Sequence, residues 1–107
     1  MIPFQTGADV NGHAIPEIPF SDHVDVAVLT AGVAQSFTVP DGANVVLFSS
    51  NVDFLLKSGS SVGWPSSSSS AGNAGEMNPS VRSVVAGNTF SLVSNVSGVV
   101  TMSYFSK

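Results

Sequence analysis

VAQSFTVPDGANVVLFSSNVDFLLK, residues Val33–Lys57, sets the fold class of this chain. Two apolar-rich runs, Gln35–Val39 and Asn44–Phe48, flank Pro40-Asp41-Gly42, and a third, Val52–Leu56, follows the break at Ser49-Ser50-Asn51. Val- and Phe-rich runs separated by Pro, Gly, Asp and Asn read as antiparallel strands. Asp41-Gly42 reads as a hairpin turn. Asn44–Phe48 is apolar at successive positions, the pattern of a strand covered on both faces.

Working outward, Val24–Leu29 is a strand with Val24, Val26 and Val28 on one face, and Thr30-Ala31-Gly32 turns it into the quoted stretch. Downstream come Val81–Val85, a Gly87-Asn88 turn, Thr89–Ser94, a turn at Asn95–Gly98, and Val99–Phe105. In the last strand Val99, Thr101, Ser103 and Phe105 alternate with Val100, Met102 and Tyr104. The expectation is all-β: a single antiparallel β-sandwich or jelly-roll-like domain of about seven strands, with an extended N-terminal arm and no helix.

Two stretches depart from the strand pattern. Residues 1–20 carry Pro3, Pro16 and Pro19, and proline removes a ladder donor and restricts the residue before it. The same stretch holds Ile2, Phe4, Ile15, Ile18 and Phe20, too apolar for a solvated tail. It reads as an arm that docks on a surface, its own or a neighbour's, ahead of a β-sandwich domain at 21–107. The second stretch, 58–79, is a long Ser/Gly-rich loop containing the tract Ser66–Ser70, with Trp64 and Met77 as large apolar side chains able to pin its ends.

Composition narrows the function. The 107 residues suit one domain. Without cysteine there are no disulfides or thiolate metal sites. Charged residues are 9% of the chain, against about 25% ordinarily. A surface of small neutral side chains resists association less than one of Lys and Glu, which interface cores exclude. A net charge of −4, with Lys57, Arg82 and Lys107 as the cations, offers no footprint for a phosphate backbone. No apolar run is long enough for a bilayer-spanning helix, and MIPFQTGADVNG lacks the basic and apolar regions of a signal peptide. Neither nucleic acid nor membrane is expected as a partner.

The residues that carry chemistry elsewhere form no convincing set. His13, Asp22, His23 and Asp25 are the one grouping that resembles a metal or acid–base site, and exposed polar residues beside a strand explain them as well. There is no Gly-x-Ser-x-Gly elbow and no phosphate loop. Asn95-Val96-Ser97 matches the glycosylation triplet only. The reading is of a non-enzyme that needs no cofactor or metal.

The order of segments carries a resemblance. Met1-Ile2-Pro3-Phe4, SFTVPDGANVVLFSSNVDFLLKSG from Ser36, MNPSVRSVVAGN from Met77 and Phe90-Ser91-Leu92-Val93 resemble small virion proteins of tailed bacteriophages, over most of residues 30–105. The resemblance implies a capsid decoration or cement protein, a structural subunit without catalytic residues. It would be made in the host cytoplasm and placed on the capsid surface, with the major capsid protein or other virion subunits as partners and a homo-oligomer as its form. The polyserine loop departs from the pattern and leaves open which face meets the shell.

On this reading Ile2, Phe4, Ile15, Ile18 and Phe20 are the assembly contacts, with Trp64 as a loop contact. A proline-restricted arm loses less entropy on docking. Two alternatives remain: a carbohydrate-binding β-sandwich module using Trp64 and Tyr104, and a phage tail or adhesin component, which would be a fibrous trimer.

Overall fold

The structure, a computed structural model, describes residues 1–3, 7–8, 14–15, 20–59 and 62–106. Among them there is no helix. Two short strands, β1 (Gly7–Ala8) and β2 (Ala14–Ile15), pair antiparallel as a separate two-stranded unit. The other strands are β3 (His23–Leu29), β4 (Gln35–Thr38), β5 (Val45–Ser50), β6 (Leu55–Ser58), β7 (Glu76–Met77), β8 (Val81–Ser83), β9 (Thr89–Val93) and β10 (Gly98–Phe105). They form two antiparallel sheets of four strands each, ordered β3-β10-β5-β8 and β4-β9-β6-β7. Seven of these strands correspond to the runs read from the sequence. The eighth, Glu76–Met77, lies inside the stretch read as loop and pairs with Leu55–Leu56 of β6.

The pairings are nested. β3 pairs with β10, β4 with β9, β5 with β8 and β6 with β7. The chain is therefore a long antiparallel ribbon whose tip is the Ser-rich segment between β6 and β7. Cross-pairings of β10 with β5 and of β9 with β6 hold the ribbon in two layers.

This topology corrects the hairpin reading of Asp41-Gly42. β4 and β5 belong to different sheets, so the turn is a corner between layers. Its local chemistry is as expected: the Ala43 amide donates to the Pro40 carbonyl (3.2 Å) and Gly42 has φ +84°, a conformation costly for a residue with a Cβ. Burial of Val39 and Ala43 on either side pulls the corner across the core instead of letting the strands pair.

One hydrophobic cluster joins the sheets: Ala27, Leu29, Val46, Val100, Met102 and Tyr104 from the first meet Leu56, Phe90 and Leu92 from the second, together with Phe54. Phe48 sits between Phe54 and Phe90, its ring edge-on to Phe90 at 5.9 Å. The two-residue period does the sorting. In β10 the inward set is Val100, Met102 and Tyr104. In β3 it is Ala27 and Leu29, which leaves Val24, Val26 and Val28 outside, half exposed or more.

A second, smaller cluster covers the outer face of the β4-β9-β6-β7 sheet. Leu55 and Val93 pack there with Val62, and Trp64 and Ala34 are half-buried against them. Val62 and Trp64 thus pack on the outer face of this sheet. Met77 is 52% exposed and is held by backbone pairing instead.

Candidate functional site

Three places in the fold gather the residues that could act on something else. The first is the outer face of the β3-β10-β5-β8 sheet. Register aligns Val24, Val26 and Val28 with Ser103, Thr101 and Val99 of β10. Thr101 and Ser103 then align with Ser49 and Leu47 of β5, and Leu47 with Val81 of β8. None of these residues is charged. Toward the other end of the face Val45 and Phe105 are buried, and there Met1–Pro3 runs beside Ser106. The Ser106 amide donates to the Ile2 carbonyl (2.9 Å), its hydroxyl donates to the Met1 carbonyl (3.2 Å), and Pro3 and Ser106 form a parallel bridge.

The second place is a groove of about 470 Å³ on the opposite flank, between the short edge strands β7 and β8. Its floor is apolar: Val39, Val46, Phe48, Leu56 and Phe90. Its rim carries Lys57, Arg82 and Glu76. The Arg82 Nε donates to Glu76 Oε2 at 2.7 Å, an ion pair that straps one sheet to the other across the groove. Both side chains are about half exposed, so solvent leaves such a pair with about 0–1 kcal/mol. Little in the sequence points to this groove. Its one signal was the scarcity of cations, since two of the three in the chain stand here.

The third place is the start of β3. His23 Nε2 lies 3.4 Å from Asp25 Oδ1, and the His23 ring meets Tyr104 edge-on with centroids 5.4 Å apart. Asp22 faces the Met1 amine at 3.8 Å. His13, the fourth member of the grouping read from the sequence, lies outside the described residues. Among the described residues no three metal-binding side chains come together. Tyr104 is fully buried and its hydroxyl has no partner among the described residues. Burial pushes its phenol well above the ordinary 10.0, and the nearby Asp25 carboxylate adds to the effect. A buried ring cannot stack on a sugar, which removes Tyr104 from the carbohydrate-binding reading.

The arm residues fare differently from one another. Ile2 is half-buried and tied to Ser106 through its backbone; Phe20 is 97% exposed. Ile15 pairs with Gly7 through the backbone of β2. Phe4 and Ile18 lie outside the described residues. Of the arm's side chains, only those of Ile2 and Phe20 are described, and they share no hydrophobic cluster. What sequence reasoning missed is the charge-free sheet face, because which strands lie side by side is a property of the ribbon's winding.

Comparison of the chain with protein-family models, with curated proteins and with solved structures finds no match.

Proposed function

We propose that the chain is a structural virion protein of the decoration or cement kind. In this reading it binds the capsid surface and stabilises the shell without catalysis, and its two sheets form a jelly roll. The nested pairing of β3 with β10 through to β6 with β7 supports the jelly roll, since a ribbon wound into two layers gives that strand order.

One observation carries the functional reading: the outer face of the β3-β10-β5-β8 sheet presents Val24, Val26, Val28, Val99 and Val81 among Ser and Thr, with no charge. Covering such a face gains roughly 25 cal/mol per Å² of apolar surface and strands no charged group. Each contact need not be tight, because a shell presents many equivalent sites to many copies.

The test is cosedimentation with empty shells of the virus that encodes the chain, comparing the native protein with a Val99→Lys, Val81→Lys double variant. The native protein pellets with shells; the variant keeps its melting temperature and stays in the supernatant. Failure of the native protein to pellet, or undiminished binding by the variant, overturns the proposal.

A further inference from the structure

The edges of the two sheets are unequal. β7 and β8, on one flank, have two and three residues and carry Glu76 and Arg82. β4 has four residues. β3 has seven, HVDVAVL, with no Lys, no Pro and one acid, Asp25, which lies toward its start and beside His23, and among the described residues it pairs on one side only, with β10. Proteins ordinarily protect an edge of this length with charge, proline or a bulge, because its unpaired amides and carbonyls template another strand.

The direction of those groups is fixed by one hydrogen bond. Gln35, on the edge of the other sheet, donates its side-chain amide to the Val28 carbonyl. Val28 therefore turns its backbone groups away from β10, and by the two-residue period so do Val26 and Val24. The same residues hold their side chains on the outer face. The ladder turned away from β10 and the valine stripe belong to one set of three.

We propose that β3 pairs antiparallel with β3 of a second copy about a two-fold axis at Val26, joining two four-stranded sheets into one. Strand parity admits few registers, because outward-turned residues must face outward-turned residues. Centring on Asp25 sets two carboxylates directly opposite each other. Centring on Ala27 leaves Val24 facing Thr30. Centring on Val26 sets Val26 against Val26, Val24 against Val28, Asp25 against Ala27 and His23 against Leu29. No like charges meet, and six valines form one continuous ladder of the kind that cross-strand β-branched pairs stabilise. The Val28 carbonyl exchanges the Gln35 amide for a backbone donor. Phe20, 97% exposed just before β3, comes to the end where the second copy turns through Ala31-Gly32.

This inference does not depend on the virion reading, since the partner is the chain itself. A single edge falls well short of the roughly 800 Å² per partner of a standard interface, so the dimer is weak, forming at roughly 100 μM and above in free solution.

The absence of cysteine gives a clean test. In an antiparallel hydrogen-bonded pair the Cα atoms lie about 5.5 Å apart, within disulfide range. Val26→Cys is oxidised in parallel with Val85→Cys, a valine 63% exposed in the turn between β8 and β9. Val26→Cys should form covalent dimer at least about tenfold faster, because pairing holds its thiols at high effective concentration. Sedimentation velocity of the native chain should show concentration-dependent dimer that Val26→Pro abolishes, the proline replacing an amide that β10 does not use. Where Val26→Pro lowers the melting temperature, Val26→Lys takes its place. Equal crosslinking of the two cysteine variants, a native chain monomeric at millimolar concentration, or a dimer that survives Val26→Lys overturns the proposal.

Discussion

Gly98 and Val52 meet where the chain leaves β5 and where β10 begins, and they meet with no room to spare. A Cβ placed on Gly98 would lie 2.3 Å from Val52 Cγ1 and 2.9 Å from Asn51 Oδ1. The same asparagine oxygen accepts the Val99 amide at 2.9 Å, so Asn51 cannot simply swing aside. Gly98→Ala should destabilise the fold by about 1–3 kcal/mol through this overpacking. Urea denaturation reads the change as a lower midpoint at constant slope.

Asn78 ties the edge strand β7 to the core. It holds φ +49°, and its side-chain oxygen accepts the Phe54 amide at 2.9 Å while its Nδ2 donates to Asp53 Oδ1 at 3.0 Å. Its own amide donates to the Phe54 carbonyl. Asn78→Ala removes both side-chain bonds and puts a residue less tolerant of left-handed backbone at that place, and should cost about 1–3 kcal/mol. Asn78→Gly, which relieves the backbone but not the lost bonds, should lie between the native protein and Asn78→Ala in thermal melts.

Tyr104 makes stability depend on alkaline pH. Its folded phenol titrates above the unfolded value of 10.0, so above that pH the unfolded chain has shed a proton that the folded chain still holds. Stability from this group is complete below pH about 10 and declines as pH rises past it toward the folded value. Tyr104→Phe should remove the decline and, by deleting a buried hydroxyl that has no partner among the described residues, leave the neutral-pH stability equal or higher. Melting temperatures of the two proteins at rising pH check this. The chain's single tyrosine makes tyrosinate absorbance a direct readout.

The Ser66–Ser70 tract is exposed throughout and lies at the ribbon's tip, beyond the last β6–β7 pair. Loop-closure entropy changes slowly with length. Deleting Ser67–Ser70 should therefore shift stability by no more than about 0.5 kcal/mol. Retained shell binding by this variant would assign the contact to the sheet face, as proposed.

The sequence made strands legible because alternation is local: Val100, Met102 and Tyr104 inside, Thr101 and Ser103 outside, can be counted off without knowing the neighbours. It did not make pairing legible. Pro40-Asp41-Gly42 has the same chemistry whether it closes a hairpin or turns a corner between layers, and only burial of Val39 and Ala43 decides. Nor could it say that Ala27 and Leu29, rather than three valines, face the core of β3. That choice follows from close packing against Val100 and Met102, where small and large side chains fit in turn. Glu76–Met77 is illegible as a strand because two residues have no period. The groove beneath Arg82 and Glu76 is assembled from both sheets, and no segment of the chain announces it.

The nested pairing also fixes an order in time. Leu56 meets Glu76 across the tip, Val46 meets Arg82 around that, and Val26 meets Thr101 around everything else. Inner pairs shorten the loop that outer pairs must close, and the most distant contacts form latest. On that account β3 should be the last strand seated, and hydrogen exchange should find its β10-facing amides, those of Asp25, Ala27 and Leu29, among the first to open. A nascent or half-folded chain has no finished β3 edge to offer. If β3 pairs with itself as proposed, that pairing would be confined to completed molecules, and a chain still folding would be kept from polymerising through this edge.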